Sequence, residues 1–467
     1  MRGRSRSSPG VDAGLVTVDR PPGAFRGFPS RKDQAVVAAL ANRVAEIAAL
    51  PVQEETRSLW RALNSLTPVR PMVLIHELPW HELDHEGELA LLSEDGLCRA
   101  IEATLRRTIY LWEHMRVDMV VEPEVIVPKV IRSDGFGIKT QKTTAVWDPM
   151  SDVVARSFVD QLKTEDDVQG IRTPEITLDQ QATRDVEERV CEILQGILPV
   201  RSQGWLPDFN QWPAWQVQED TAASVNGMWP DDNESAGFSA WDIICGWRGA
   251  ENLLLDLAAR PAFMHQIISR LTDAHLGMLD QLEEQGLLGY GQTTINCNGA
   301  YTDELPAPGF NPLHPRARDI WTTGSAQILT SASPAMFEEF ELPYATLWYG
   351  RFGLASYGCC EVLDNKIDLV RRIPNVRKIS ASPWAKVETT AEQIGRDYVL
   401  SRRPNPAFVG GISWSPDVVE RDLRDTIQAC ARYRCPLELT LKDVSTVQYQ
   451  PQRLWEWADI AMRLVVG

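Results

Sequence analysis

The sequence predicts an α/β protein folded as a (β/α)₈ barrel. Three observations support this. The chain has 467 residues, which suits one large barrel with insertions, with two to three ordinary domains as the alternative. Short apolar segments alternate with longer helical segments from residue 70 onward, and eight of the short segments read as strands. No tight-turn signal joins neighbouring strands, so the connections are helical and the sheet is parallel.

The predicted strands are short and rich in apolar or β-branched residues. They are residues 71–75, 117–121, 198–202, 292–296, 352–356, 376–380, 397–401 and 437–441. The predicted helices show apolar residues recurring near every 3.6 positions. They are residues 33–64, 96–115, 181–195, 250–286, 334–350, 388–395, 417–432 and 452–464. An open doubly wound sheet is the alternative, but neither GxGxxG nor GxxxxGK[ST] occurs in the chain.

Composition divides the chain into three parts. Residues 1–31 are rich in Gly, Pro, Ser and Arg and are expected to be a disordered leader. Residues 32–69 are expected to form an N-terminal helical extension, and residues 70–467 the barrel. Two long segments follow predicted strands, at 203–249 and 298–333. Both are therefore expected at the C-terminal face, where the first, rich in Trp, would line an apolar pocket.

Charge and cysteine content exclude several classes of protein. Lys and Arg number 47 against 64 Asp and Glu, giving a net charge of −17. This acidity argues against a nucleic-acid binder and against docking on anionic lipid. No apolar stretch approaches the length of a membrane span, and no apolar stretch follows the basic N-terminus. The eight cysteines include no CxxC pair, so we expect free thiols and a cytoplasmic location.

The sharpest candidate site is the sequence Tyr357-Gly358-Cys359-Cys360-Glu361, which directly follows a predicted strand. Cys359 and Cys360 are candidate ligands of a soft metal such as zinc. Adjacent residues of an extended strand point to opposite sides, so both thiols can reach one metal only if the backbone turns there. Buried packing and a vicinal disulfide are the alternatives.

Lys442 and Asp443 end the last predicted strand and form the second candidate. Asp443 is a candidate metal ligand or general base, and Lys442 a candidate for binding a carboxylate or phosphate. A simple ion pair between them is the alternative.

A third group of polar residues, from His76 to Glu82, follows the first predicted strand. The spacing is not that of HExxH, and Pro79 would break the helix that this motif needs, so a zinc protease is excluded. Glu77 and His81 remain candidate substrate-binding residues.

Arg402 and Arg403 follow another predicted strand and are candidates for clamping a carboxylate, with a salt bridge as the alternative. The sequence around His275 is one residue short of the Asp-x-His-x-x-Gly pattern of corrinoid-binding domains. It also lies in a helical stretch, so we interpret His275 as an ordinary helix residue.

The stretch 319–409 resembles the superfamily of uroporphyrinogen decarboxylase and the methylcobamide-dependent methyltransferases. The resemblance rests on DIWTTGSAQ, SPAMFEEFELPY, RFGLASYGCCEVLDNKIDLVRRIPNVRKISASPW and YVLSRRPNPAF, and extends weakly over residues 70–467. It implies the (β/α)₈ barrel and, within the superfamily, an uncharacterised branch with a YGCCE motif. The zinc-binding His-x-Cys of the methyltransferases lacks its His here, and the early Arg-rich motif of the decarboxylases is missing.

The resemblance implies a one-carbon methyltransferase, acting as an O-demethylase or on a corrinoid or thiol. It implies a zinc site at Cys359, Cys360 and Asp443, with Lys442, Asp443 and Glu361 catalytic. The substrate would contact Glu77, His81, Tyr357, Arg402 and Arg403. A corrinoid carried by a separate protein is the implied partner, and a homodimer is plausible.

Two other functions stay open. One is a metal-independent decarboxylase or lyase that holds a small acid through Arg402, Arg403 and Lys442. The other is a non-catalytic protein that binds an aromatic ligand, which predicts insensitivity to Asp443→Asn. The sequence identifies no substrate.

Overall fold

The computed structural model describes residues 16–17, 29–145, 155–208 and 237–467. The strands are β1 (Val16–Thr17), β2 (Met72–Ile75), β3 (Val125–Pro128), β4 (Ile131–Ser133), β5 (Lys142–Ala145), β6 (Ala155–Phe158), β7 (Ile176–Leu178), β8 (Val200–Gln203), β9 (Thr294–Ile295), β10 (Asn298–Gly299), β11 (Trp321–Gly324), β12 (Leu354–Tyr357), β13 (Val376–Ala381), β14 (Val399–Arg402) and β15 (Leu437–Leu441).

Helices connect most of these strands, as the alternating pattern predicts. They are α1 (Arg31–Ala48), α2 (Pro51–Asn64), α3 (Gly96–His114), α4 (Glu165–Val168), α5 (Gln180–Leu194), α6 (Ala240–Arg248), α7 (Ala250–Ala259), α8 (Pro261–Glu284), α9 (Pro334–Phe340), α10 (Leu342–Tyr349), α11 (Ile367–Val370), α12 (Val387–Ile394), α13 (Ala407–Gly410), α14 (Pro416–Tyr433) and α15 (Gln452–Val466).

The central element is a six-stranded sheet in the order β11-β12-β13-β14-β15-β2, parallel throughout. A second parallel sheet has the order β1-β3-β8. The prediction of an α/β protein with a parallel sheet is confirmed. In the described residues the strand ladders do not close into one eight-stranded ring, so the closed barrel stays a prediction.

The predicted strand at 117–121 is wrong, because side chains take several of the hydrogen bonds that a neighbouring strand would take, although the Asp118 amide donates to the Val73 carbonyl of β2. Asp118 receives two hydrogen bonds from Arg70 and one from the Val73 amide. The carbonyl of Asp118 accepts from the Trp60 indole, and the Val121 amide donates to Gln53. The next strand along the chain is β3, which pairs with β1 and β8 in the other parallel sheet.

Other boundaries differ from the prediction where proline or a turn intervenes. The helix expected at 33–64 is broken before Pro51, and the helix expected at 250–286 is broken before Pro261. The helix expected at 334–350 divides at Glu341. The strand expected at 292–296 shortens to β9, which pairs antiparallel with β10. The turn-rich segment 298–333 contains β11, which the sequence analysis missed.

The interior of the six-stranded sheet holds a charged pair rather than apolar side chains alone. The Lys378 ammonium lies 2.6 Å from the Glu438 carboxylate, and both side chains are fully buried. Lys378 also donates to the Gly299 carbonyl, and Trp60 and Trp321 lie beside its ammonium. These contacts satisfy a charge that burial would otherwise make very costly.

The N-terminal region is described only in part. The predicted leader lies mostly outside the described residues, although β1 pairs with β3. Most of the Trp-rich segment, at 209–236, also lies outside them. In the described residues, no single helix has the length and apolar character to cross a membrane; α1 and α2 together meet that test by length and composition, but they are bent by 60°.

Candidate functional site

The site forms where the strands of the six-stranded sheet end at one edge, here called the carboxyl edge. Because all six strands are parallel, the residues that follow them meet there. Glu77 follows β2, Cys359 follows β12, and Lys442 follows β15. The sheet curls, so that side chains from β12 and β15 touch although two strands lie between them. The sequence analysis placed these residues at one face correctly.

Lys442 is the centre of this site, and its contacts define what we call the Lys442 cluster. Its ammonium lies 3.0 Å from Glu77 Oε2, 3.4 Å from Asp443 Oδ2 and 3.5 Å from Cys359 Sγ. The side chain of Lys442 is 6% exposed. Cys360 and Cys297 complete the Lys442 cluster, since Cys360 Sγ lies 3.7 Å from Asp443 Oδ2 and Cys297 Sγ lies 3.5 Å from Glu77 Oε1.

The two adjacent thiols reach the same side because the backbone turns after β12. Gly358 has a φ of +89°, a conformation that glycine adopts readily. Cys359 Sγ and Cys360 Sγ are consequently only 3.6 Å apart. The turn is held by Glu361, whose carboxylate accepts from the Cys359 amide at 2.7 Å and from the Ala326 amide at 3.2 Å.

Backbone strain concentrates in the same place. Glu77, Asn296, Cys297 and Asp443 all have a left-handed backbone, with φ between 48° and 62°. Such conformations are uncommon for residues other than glycine and are costly outside sites whose surroundings hold them in place. Three of these residues, Glu77, Cys297 and Asp443, belong to the Lys442 cluster, which makes that cluster the candidate functional site.

Charges in the cluster favour a thiolate at Cys359. A hydrogen bond with Cys360 lowers the pKa of Cys359, and the charges of Lys442 and Arg403 lower it further, against the opposing effect of burial. The hydrogen bond and burial raise the pKa of Cys360, and burial raises that of Cys297. Cys359 is therefore the most acidic of the three thiols in the cluster.

The two carboxyl groups of the cluster have different proton affinities. Burial opposes ionisation of Glu77, but the charge of Lys442 and hydrogen bonds with Asp443 and Lys442 bring its pKa to about 2. Burial and the charge of Glu77 raise the pKa of Asp443. Glu77 is thus the carboxylate that balances Lys442, and Asp443 is the group that holds a proton more readily. Asp443 is also the more open, with 52% of its side chain exposed.

The donor atoms only partly suit the zinc ion that the sequence analysis predicted. Two thiolates bound to tetrahedral zinc lie about 3.7 Å apart, close to the spacing of the two thiols here. However, the Lys442 ammonium lies among these donors and already balances their charge. Across the described ranges, no group of three or more His, Cys, Asp and Glu side chains is arranged to hold a metal ion. The donor set therefore does not fit zinc while Lys442 is charged.

Several predicted site residues lie away from the Lys442 cluster. Tyr357 is fully buried and donates to Glu341 rather than facing the carboxyl edge. The ring of His81 lies against the ring of Tyr449. His81 Nε2 lies 3.6 Å from Glu82 Oε1. Arg402 donates to the Ser382 carbonyl and lies 3.8 Å from Asp422. The structure does not bring these side chains into contact with Cys359.

Arg403, in contrast, points inward. It is 2% exposed and donates to the Asn296 carbonyl, to Asn298 and to Ser380. These partners are uncharged, and its charge lowers the pKa of Cys359. His76, next to Glu77, is buried; burial lowers its pKa to about 4, so it is neutral.

The interpretation of His275 is confirmed. It is a buried residue of α8, and its ring Nδ1 lies 2.8 Å from the Leu271 carbonyl one turn earlier.

Sequence reasoning missed two acids near the site. Asp242 of α6 accepts from Ser325, Gln327 and Ile328, in the loop after β11. Glu341 is buried between α9 and α10. Asp242 is an acid within the apolar sequence AWDIICGW, and that contrast is the signal that could have found it.

The fold and site together define an α/β protein with a cluster of thiols, a lysine and two carboxyl groups at the carboxyl edge of a parallel sheet. No known family model matches the chain, and no curated protein matches it. Among solved structures, it is similar to a methyltransferase from Methanosarcina mazei, with 7% identity and a TM-score of 0.46 over 87% of this chain and 98% of that chain. A likeness at this level carries no argument about function. The residues of the site are therefore the basis for inferring one.

Proposed function

We propose that this protein is a one-carbon transferase in which the thiolate of Cys359 takes a methyl group from a small-molecule substrate. The observation that carries the proposal is the 3.5 Å contact between the Lys442 ammonium and Cys359 Sγ, in a site whose outer wall is the exposed Asp443. A thiolate is a strong nucleophile toward carbon, and a buried cation keeps it ionised at neutral pH.

The chemistry follows from the charges of the cluster. The sulfur of Cys359 forms a bond to the methyl carbon while the bond from that carbon to its leaving atom breaks. The leaving atom keeps the electron pair, and a second nucleophile later removes the methyl group from sulfur. As the thiolate charge disappears, the Lys442 ammonium keeps its contact with Glu77, 3.0 Å away. The cation therefore stays balanced through the step.

The zinc ion and the separate corrinoid protein, which the sequence resemblance implies, stay predictions. The transfer proposed here uses no step through either group. A corrinoid is one acceptor that could serve as the second nucleophile, and a substrate thiol is another.

A second candidate function is supported by Arg403. A buried guanidinium whose described hydrogen-bond partners are all uncharged is suited to holding a substrate carboxylate beside Cys359. This arrangement favours the decarboxylase or lyase alternative. In that case Cys359 would be dispensable, whereas Arg403→Lys would weaken binding of the acid because lysine lacks the planar fork.

Thiol reactivity tests the first proposal. The protein is treated with iodoacetamide at pH 7, and the alkylation rate of each cysteine is measured by peptide mass spectrometry. Cys359 is expected to react at least tenfold faster than Cys191, an exposed cysteine whose pKa is raised by burial and by Glu187 and Glu188. Equal rates would refute a thiolate at Cys359.

Methyl transfer is tested with methyl 4-nitrobenzenesulfonate, whose leaving group needs no proton. The expected product is S-methylation at Cys359, lost in Cys359→Ser and retained in Cys191→Ser. Release of CO₂ from a panel of small carboxylic acids, unchanged in Cys359→Ser, would instead establish the second candidate.

A further inference from the structure

The two thiols at the turn after β12 have a property that methyl transfer does not use, which is their contact with each other. Cys359 Sγ and Cys360 Sγ lie 3.6 Å apart. Neighbouring side chains of an extended strand point to opposite sides, so this contact depends on the turn that Gly358 makes. A nucleophile that only accepts a methyl group needs one sulfur. The second sulfur, in contact with the first, indicates chemistry of the pair.

The two thiols face different polar groups. The Lys442 ammonium lies 3.5 Å from Cys359 Sγ, whereas the Cys360 thiol donates to Asp443 Oδ2 at 3.7 Å. An ammonium stabilises a negatively charged sulfur, and a carboxylate accepts the proton of a thiol. Cys359 is therefore placed to attack first. Cys360 is placed to react second, with Asp443 beside it to take its proton.

Solvent reaches the pair from the side of Cys360. Cys359 is 7% exposed, but Cys360 is only half-buried, and 52% of the Asp443 side chain is exposed. A small reagent that enters beside Asp443 meets the sulfur of Cys360 and, in contact with it, the sulfur of Cys359. This access suits a molecule of a few atoms better than a bulky one.

The backbone of the turn is held by contacts that do not involve either thiol. The Gly358 carbonyl accepts from Ser380 Oγ and from Asn296 Nδ2, both at 2.8 Å. On the other side of the turn, the Glu361 carboxylate accepts from the Cys359 amide at 2.7 Å. The two sulfur atoms are consequently kept together while their own bonding changes.

A disulfide between adjacent residues is easily reduced. The Cα atoms of adjacent residues lie about 3.8 Å apart, below the spacing of about 4.4 to 6.8 Å that most disulfides join. The resulting strain makes such a bond labile, and labile disulfides are those that open again in thiol exchange. A bond between Cys359 and Cys360 is therefore suited to forming and opening repeatedly.

We propose that Cys359 and Cys360 reduce hydrogen peroxide to water and form a disulfide with each other. The sulfur of Cys359 bonds to one peroxide oxygen, and the oxygen–oxygen bond breaks. The leaving oxygen keeps the electron pair and takes a proton from solvent, which leaves a sulfenic acid on Cys359. The sulfur of Cys360 then bonds to that of Cys359 and gives its proton to Asp443. Hydroxide leaves the sulfenic acid and receives this proton as water.

A dithiol reductant completes the cycle by exchange, becoming a disulfide itself and returning both thiols to Cys359 and Cys360. The inference rests on the nucleophilic sulfur of the proposed function, but it needs no methyl transfer. While the disulfide is present, the sulfur of Cys359 has no free electron pair in thiolate form to accept a methyl group. Peroxide should therefore stop methyl transfer, and a dithiol should restore it.

The disulfide is tested on the intact protein at pH 7. Hydrogen peroxide is added in slight excess, with a chelator present because trace metals oxidise thiols by themselves. Samples are blocked with iodoacetamide at successive times, and their peptides are mapped by mass spectrometry. The expected product is the peptide containing Cys359 and Cys360, unblocked and lighter by two hydrogen atoms. One peroxide should be consumed for each disulfide formed.

Single variants separate the two steps. In the wild type, the disulfide should form about tenfold or more faster than Cys191, an exposed cysteine, is oxidised. Cys360→Ser should stop at the sulfenic acid of Cys359, which dimedone traps, and Cys191→Ser should change nothing. A disulfide from Cys359 to Cys297, a sulfenic acid that persists in the wild type, or oxidation no faster than that of Cys191 would overturn the proposal.

Failure of this inference is distinct from failure of the proposed function. Fast alkylation of Cys359 without the disulfide would remove peroxide reduction and leave methyl transfer. Formation of the disulfide without S-methylation by methyl 4-nitrobenzenesulfonate would do the reverse. Where both reactions occur, protein oxidised beforehand should lose S-methylation at Cys359 and regain it after dithiothreitol. Undiminished S-methylation of fully oxidised protein would show that Cys359 is not in the disulfide.

Discussion

The ammonium of Lys442 lies 3.5 Å from the sulfur of Cys359, although 83 residues separate them in the chain. The contact exists because β12 and β15 end at the same edge of one curled sheet. It brings a permanent cation to a thiol that burial alone would keep protonated. The pKa of Cys359 is thus lowered both by its sequence neighbour Cys360 and by Lys442, a cation that only the fold brings to it.

Removal of that cation should raise the pKa of Cys359. In Lys442→Met, alkylation of Cys359 at pH 7 is expected to slow by about tenfold for each pKa unit gained. Lys442→Arg keeps the charge and should retain most of the rate. An unchanged alkylation rate in Lys442→Met would show that the hydrogen bond from Cys360 is enough to keep the pKa of Cys359 low.

The same substitution should change the affinity for zinc. Lys442→Met removes the charge that competes with a metal for Cys359, Cys360 and Asp443, so zinc binding should strengthen relative to the wild type. Elemental mass spectrometry after dialysis against zinc, together with competition by a chelating dye, measures this. About one tightly held zinc per chain in the wild type would contradict the argument from Lys442.

The geometry of the Cys359 turn should depend on Gly358. Its φ is +89°, and a Cβ there would lie 2.9 Å from Leu363 Cδ1. Gly358→Ala is therefore expected to displace the turn and slow alkylation of Cys359 several-fold. Gly395 also has a positive φ, but no atom lies within 4 Å of its added Cβ. Gly395→Ala should lower the free energy of unfolding by about 1 to 2 kcal/mol and leave the alkylation rate of Cys359 unchanged.

Glu341 predicts a particular dependence of stability on pH. Its pKa rises from 4.5 to about 8 because of burial, so the folded protein binds this proton more tightly than the unfolded chain. The contribution of Glu341 to stability is full below pH 4.5 and is lost as the pH rises toward 8. A difference of one pKa unit between the folded and unfolded states corresponds to about 1.4 kcal/mol. Urea unfolding of Glu341→Gln should show a flatter profile, with Glu339→Gln as the unchanged control.

The buried ion pair of Lys378 and Glu438 should stabilise the fold only while both partners are present. Glu438→Gln leaves the Lys378 ammonium without its carboxylate in a fully buried place, and the free energy of unfolding should fall by about 3 to 5 kcal/mol. The double variant Lys378→Met, Glu438→Leu should recover much of that loss. A change below about 1 kcal/mol in Glu438→Gln, as expected for the exposed Glu46→Gln, would show that the pair is not desolvated.

Alternating strand-like and helical segments were sufficient to place several strands of the six-stranded sheet. They placed β12, β15 and β2 within a few residues, and so placed Cys359, Lys442 and Glu77 at one edge. They failed at 117–121, where the Asp118 side chain binds Arg70 and the Val73 amide through long-range contacts that no local pattern contains. They also failed for Tyr357, because the side of β12 that faces Glu341 depends on the packing of α9 and α10.

The pairing of β2 with β15 has a consequence for how activity arises during synthesis. Glu77 emerges from the ribosome early, Cys359 later, and Lys442 later still. A nascent chain that has made Cys359 but not β15 carries a thiol of ordinary reactivity. The contact through which Lys442 lowers the pKa of Cys359 therefore forms only when the last strand of the sheet is in place.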